Sequence, residues 1–216
     1  MKVSVLCSSE DHPAFPILQE WCERTAGRHT VELVNTSREL SGGDIMFLIA
    51  CHEIVGRDIR EKYRSCLVAH ASDVPEGRGW SPHIWQILEG RETITVTLMD
   101  AGDVVDSGAI WKQTELRFAG HELYDEINRA LYDAVIDLMD FAIGAIDDIC
   151  PVPQRDTEPT YYRKRTPEDS RVDPGRSIAV QFDLLRVADP DRYPAFFDFR
   201  GHRYEIRLIK SEIPNR

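Results

Sequence analysis

No stretch of the 216 residues approaches the roughly 20 consecutive apolar positions that a membrane span requires. The N-terminal run Met1-Lys2-Val3-Ser4-Val5-Leu6 is too short for a secretory leader, and charge follows at Glu10 and Asp11. Neither GxGxxG nor GxxxxGKS/T occurs, and the first apolar run leads into Cys7-Ser8-Ser9-Glu10 with no glycine, which disfavours a dinucleotide or P-loop phosphate site. Cysteine is sparse: Cys7, Cys22, Cys51, Cys66 and Cys150 are odd in number and never spaced as CxxC. A free Cys in an apolar run acts as a small hydrophobe, so the expectation is a reduced, cytoplasmic protein with no metal. Positive charge is scarce as well. Residues 1–150 carry 13 basic and 26 acidic side chains, a net of −13, and the remainder is +2. Phosphate-backbone affinity comes from Lys and Arg, so bulk binding to nucleic acid is excluded, although one anionic small molecule is not. With 42% hydrophobic residues and 12 prolines, the chain has enough apolar surface to fold.

The elements follow from periodicity. Val3–Ser8 reads as a buried strand. A helix follows, with Pro13 and Pro16 in its first turn, Phe15, Leu18, Trp21 and Cys22 on one face, and Gly27 as its stop. Thr30–Val34 is a second strand, Ile45–Ala50 a third, Arg57–Arg64 a short exposed helix, and Cys66–Ala69 a fourth strand ending at His70. Asp73–Trp80 is a loop. Ser81 and Pro82 are expected to be N-cap and first residue of a helix that Gly90 ends. Glu92–Met99 is a strand with Ile94, Val96 and Leu98 inward, Asp100–Gly108 a polar turn, and Ala109–Phe118 a further strand. His121–Ile146 is a long helix whose acidic face is read as solvated.

Beyond residue 150 the spacing predicts a linker over 151–160 and a basic-aromatic stretch at Tyr161–Arg165. An amphipathic helix is expected over Ser177–Val187, with Ile178, Phe182 and Leu185 inward. Tyr193–Ile209 reads as a hairpin turning at Arg200-Gly201. The expected fold is α/β, an open, mostly parallel Rossmann-like sheet over 1–150, with a small α+β extension over 151–216. Ligands of such sheets bind at the carboxyl ends of the strands, which directs attention to His52 and His70.

One ordered set of residues is more specific. It runs His70-Ala71-Ser72-Asp73-Val74-Pro75, Arg78-Gly79, Pro82, Trp85, Gly90, then Asp106-Ser107-Gly108. This resembles the formyltransferase family, whose members typically read N-x-H-x-S-x-L-P, R-G-x-x-P, W, G and D-x-G. The likeness is good over about residues 45–145 and weaker at Tyr161–Asp169. It implies the formyltransferase fold and N10-formyltetrahydrofolate as cosubstrate. It also implies His70 and Asp106 as catalytic residues, His70 donating to the tetrahedral oxyanion and Asp106 orienting it and moving the proton. Asp100, Gly102 and Asp103 fall in the segment that wraps the pterin, and His52 joins them as a cosubstrate contact.

The sequence departs from the family at Val68, where an asparagine is expected two residues before the histidine. Valine donates no hydrogen bond, so Ser72, an amide of the loop 73–80 or water must replace it. An acidic catalytic part weighs against a tRNA acceptor, as does a chain ending at Arg216 without the long C-terminal domain of that branch. A nucleotide-linked amino sugar is the acceptor expected. Ser72, Arg78, Trp80, Tyr161, Arg163 and Arg165 are its candidate contacts, the basic-aromatic stretch stacking on the base and pairing with the diphosphate. The alternatives are a weakened, folate-binding relative and a methionyl-tRNA formyltransferase-like enzyme. The apolar patch Phe196, Phe197, Phe199, Tyr204 and Ile206 is expected either to form a homodimer interface or to pack on the long helix.

Overall fold

A computed structural model describes residues 1–211; the last five residues of the expected extension lie outside the described residues. The strands are β1 (Lys2–Leu6), β2 (Thr30–Val34), β3 (Gly43–Leu48), β4 (Tyr63–His70), β5 (Arg78–Gly79), β6 (Thr93–Asp100), β7 (Ile110–Arg117), β8 (Tyr161–Tyr162), β9 (Ala195–Phe199) and β10 (His202–Ile206). The α-helices are α1 (Phe15–Thr25), α2 (Arg57–Arg60), α3 (Pro82–Leu88), α4 (Tyr124–Ala145) and α5 (Phe182–Arg186).

One sheet of six strands in the order β2-β1-β3-β4-β6-β7 forms the centre. The pairs β1–β2, β1–β3 and β3–β4 are parallel, and β4–β6 and β6–β7 antiparallel. The fold is therefore the mixed, mostly parallel α/β sheet expected. Strands β1 and β3 are covered on both faces, which is why they read as continuous apolar runs. Phe47, Ile45, Leu67, Ile94 and Leu98 have no exposed surface. Helix α4 packs Ile127, Leu131, Leu138 and Met139 into the same core. Its acidic face is not all solvated: Asp140 accepts from the Trp21 indole N–H at 2.7 Å and thereby fastens α1 to α4.

Three expected elements are corrected. Ser81 occupies the expected N-cap position, but it sits in the left-handed region at φ +46° and its hydroxyl caps nothing. A residue before proline is disfavoured in the right-handed α region, and here the chain escapes to the left-handed one. The expected helix over Ser177–Val187 breaks into a 3-10 turn at Ala179–Gln181 and the short α5, leaving Ile178 70% exposed. The Gln181 side chain accounts for the break, because it bonds the N–H and C=O of Asp173 in the preceding loop. The exposed helix at Arg57 ends at Arg60 rather than Arg64, since Tyr63 already joins β4. The hairpin β9–β10 turns where expected, with Arg200 and Gly201 both at positive φ. Its Phe196 neither faces α4 nor stands open; it is buried under the guanidiniums of Arg171 and Arg203.

The segment after Cys150 is sewn back onto the first part. Val152 bridges Ile110 in antiparallel fashion. β8 adds in parallel to β5, so the loop after His70 borrows its partner strand from Tyr161–Tyr162.

Candidate active site

The carboxyl ends of β3 and β4 and the turn between β6 and β7 open into a cleft of about 460 Å³. Its walls include His70 and Asp106 on the inner side, Val68 and Val96 on the floor, and the loop tips Ile54, Val104 and Val105 at the mouth. Those three tips are 84%, 59% and 57% exposed and form the two apolar jaws of the cleft mouth.

His70 ends β4 and is 7% exposed; Asp106, on the turn after β6, is 8% exposed. His70 Nδ1 lies 3.5 Å from Asp106 Oδ1. His70 Nε2 is 2.9 Å from the Gly77 carbonyl. A carbonyl only accepts, so Nε2 carries the hydrogen and donates it there. The second carboxylate oxygen of Asp106 accepts the Gly79 amide at 3.0 Å. Both nitrogens of His70 thus have protein neighbours, and direct donation by its Nε2 to an oxyanion, expected from the sequence, conflicts with the bond to Gly77.

The loop that carries Gly77 is rigidly specified. Thr97 donates to the Ser72 carbonyl at 2.7 Å, Gln86 to the Ala71 carbonyl at 2.8 Å, and Gln113 to Thr97 at 2.9 Å. Gly79, at φ +100°, brings its backbone so close to β8 that an added Cβ would stand 2.3 Å from the Tyr162 carbonyl. Every amide from Glu76 to Trp80 already donates, to Asp73, Thr160, Thr160, Asp106 and Tyr162 in turn. None of these is left for an oxyanion. Ser72 is 1% exposed and outside the cleft wall, and its hydroxyl has no partner among the described residues. Both protein replacements expected for the missing asparagine are therefore set aside: Ser72, Asp73 and Val74 lie outside the cleft wall, and the amides from Glu76 to Trp80 are spent.

Of the expected cosubstrate contacts, His52, Gly102 and Asp103 line the cleft and Asp100 does not. Asp100 accepts the Trp111 indole N–H at 2.8 Å, and burial pushes its carboxyl upward. Its backbone explains Gly108, where a Cβ would stand 1.8 Å from the Asp100 carbonyl. Arg60, unremarked in the sequence, joins the two jaws. It donates to the Val55 and Ala101 carbonyls at 3.2 and 2.9 Å and pairs with Asp103.

Among the expected acceptor contacts, Trp80 lines the cleft mouth, its ring centroid 5.4 Å from that of His52. The basic-aromatic stretch is largely spent on the fold. Arg163 pairs with Asp169 and lies over the Trp85 ring, Arg165 donates to Ser170 and the Asp169 carbonyl, and Tyr161 is strand β8. Arg78 donates to Gln154, whose amide in turn bonds the carbonyls of Asp106 and Gly108. Lys164, between the two committed arginines, stands 4.7 Å above Trp80. Its charge and that of Arg192, after burial, push His52 below its ordinary pKa.

Two further histidines also line the cleft. His12 carries no signal in the sequence, and His83, in the helix after the loop, can be read there as facing the site although exposure is the default reading. His12 accepts the Ala14 amide on Nδ1 at 3.2 Å, and burial helped by Arg192 and His52 holds it at about 4. Burial holds His83 at about 3, with His70, His12 and Arg165 pushing the same way. Both are neutral at physiological pH. A lone His in a loop or at a helix start gives no signal of its own; only the convergence of strand ends does.

A sequence model of the family described as formyl transferase matches residues 5–139. The structure is similar to methionyl-tRNA formyltransferase from Clostridium thermocellum, at 20% identity, covering 98% of this chain and 94% of that one, TM-score 0.82. It is similar to HypX from Aquifex aeolicus in complex with tetrahydrofolic acid, at 20% identity and TM-score 0.80, over 96% of this chain and 37% of the longer HypX. It is also similar to a sugar N-formyltransferase from Shewanella, at 16% identity, 99% coverage of both chains and TM-score 0.72. The family model matches well over half of the residues, so the chain belongs to the formyl transferase family and is a formyltransferase.

Proposed function

We propose that the enzyme moves a formyl group from N10-formyltetrahydrofolate to the amine of a nucleotide-linked amino sugar. The observation that carries this reading is the buried His70–Asp106 pair at the inner wall of a cleft whose mouth is apolar on one side and cationic-aromatic on the other. The apolar tips Ile54, Val104 and Val105 suit a flat heteroaromatic ring, and Arg60 holds their two loops in register. In this reading His52, Gly102 and Asp103 lie along the cosubstrate. The amine attacks the formyl carbon and must shed a proton, and the folate nitrogen must gain one as its bond to carbon breaks. A proton accepted on His70 Nδ1 would sit against the Asp106 carboxylate, which is how the pair would hold and pass it.

The acceptor side rests on Trp80 and Lys164. An aromatic face beside an ammonium suits a nucleotide base with its phosphates. This moves the expected diphosphate contact from Arg163 and Arg165, which the fold consumes, to Lys164. The whole-chain likeness to a sugar N-formyltransferase supports the same acceptor. A net charge of −13 over residues 1–150 weighs against tRNA. The test is incubation with N10-formyltetrahydrofolate and a panel of nucleotide 4-amino sugars, with methionyl-tRNA as the rival acceptor. Formyl sugar is the expected product, and His70→Ala should abolish it while leaving the chain folded. Transfer to the tRNA alone would replace the acceptor, and tight folate binding without any transfer would make the protein a binding relative.

A further inference from the structure

We propose that His83 is a catalytic residue that donates the hydrogen bond stabilising the formyl oxygen in the tetrahedral intermediate. The inference rests on the formyl-transfer reading and identifies a component that reading leaves open. When the amine nitrogen bonds to the formyl carbon, the carbonyl electron pair moves onto oxygen. When that pair returns, the bond from carbon to the folate nitrogen breaks; the amine has lost one proton and the folate nitrogen has gained one. The oxygen carries charge only in between, so a donor placed there accelerates the reaction without tightening the ground state.

The structure commits several neighbouring donors elsewhere. Val68, at the place of the family's asparagine, lines the cleft and has nothing to donate. His70 gives Nε2–H to Gly77 and turns Nδ1 to Asp106. The amides from Glu76 to Trp80 are spent, and Ser72, Asp73 and Val74 are outside the cleft wall. Arg60 is committed to Val55, Ala101 and Asp103.

His83 fits the vacancy. It lines the same cleft, and among the described residues neither ring nitrogen is hydrogen-bonded. The segment that carries it starts at Gly79, whose amide Asp106 binds at 3.0 Å, and its helix is tied by Gln86 to the carbonyl of Ala71, next to His70. His12, by contrast, responds to Arg192, His52 and Asp189, at the cleft mouth. His83 is thus the unengaged imidazole beside the reacting pair. Being neutral, it always keeps one N–H to donate, and with a pKa near 3 it is too weak a base to compete with His70 for the amine proton. Pro82 fixes the backbone on one side of it, and buried Ile84 and Ile87 anchor its short helix.

The experiment compares the parent chain, His83→Leu, His83→Asn and the double variant Val68→Asn with His83→Leu. The donor is N10-formyltetrahydrofolate; the acceptors are the nucleotide 4-amino sugar turned over fastest and hydroxylamine as a small amine. Loss of one oxyanion donor should lower kcat by about 100- to 1,000-fold in His83→Leu. Both KM values, tetrahydrofolate affinity and thermal midpoint should stay near the parent's. His83→Asn, which keeps an N–H, should recover much of the loss, and so should the Val68→Asn pair. A His83→Leu kcat within threefold of the parent would overturn the inference, as would a loss that neither asparagine rescues. No transfer by the parent chain to either amine would instead remove the formyl-transfer reading, and the inference with it.

Discussion

The six-stranded sheet and the segment after Cys150 are held by different forces. The sheet side is apolar: Val3, Val5, Ile45, Phe47, Leu67, Ile94 and Leu98 have no exposed surface, and Trp21 meets Phe47 edge-on at 6.0 Å. Among the described residues the later segment has a small apolar cluster of its own around Val172, Leu185, Ala188 and Ala195. Arginines do the rest. Arg171 ties Glu168 to Asp198, Arg192 ties Asp189 to Tyr124 of α4, and Arg186, 4% exposed, reaches Asp183 and the Glu122 carbonyl. The lesson concerns charge. The +2 tail looks like a ligand-binding patch when its charges are counted, yet most of those cations are structural staples.

The contrast can be broken by substitution. Phe47→Ala should cost about 3–5 kcal/mol by urea titration, because a fully buried ring is lost and the sheet cannot close over the hole. Arg186→Met should cost about 3 kcal/mol, the low end for breaking a buried pair, since Asp183 can turn to solvent. Glu122→Gln in the same background should recover little, because Glu122 also holds the Ala119 and Gly120 amides. If Arg186→Met is as stable as the parent, the later segment is held by its small apolar core after all.

Acid sharpens the picture at the cleft. In the unfolded chain His12 and His83 protonate near 6.5; in the fold they wait until about 4 and about 3. Between those values the unfolded state binds more protons, so stability falls as pH drops from about 6.5 toward 4. Unfolding should take up about two protons there from these rings, and about one in His83→Asn, read from the pH dependence of the urea midpoint. Asp189 acts lower. Burial raises its pKa, but Arg192, the Asp191 and Arg192 amides and Tyr124 outweigh that, so its contribution is lost only as pH falls through its depressed value. The smallest effect is expected at Arg163→Ala. Its pair with Asp169 is largely solvated, so the midpoint and the KM for the acceptor should both stay near the parent's. A large rise in that KM would return Arg163 to the binding site.

Much of this was legible in the sequence, for identifiable reasons. Strands covered on both faces need unbroken apolar runs, so β1 and β3 were visible within two residues, and β4 at its carboxyl end although it starts three residues earlier than expected. His70 and Asp106 were visible because strand ends and an ordered motif coincide there. Ser177–Val187 misled because its apolar spacing is helical, while the Gln181 side chain competes for the backbone of the preceding loop. Arg163 and Arg165 misled for a related reason: charge density in sequence does not say whether the partner is a ligand or Asp169. His12, His83, Arg60 and Gln154 were silent because each acts across 40 residues or more of chain, or faces a cleft that exists only once the sheet is assembled.

The pairing of β5 with β8 has a consequence for the order of biosynthesis. A nascent chain that has emerged as far as Cys150 already holds all six strands of the sheet and the whole of α4. It does not yet hold Thr160 and Tyr162, which receive the amides of Gly77, Arg78 and Trp80. During translation the scaffold can therefore close before the loop touching His70 has its partner strand. Chemical competence arrives last, with the emergence of a short segment that carries none of the reacting groups.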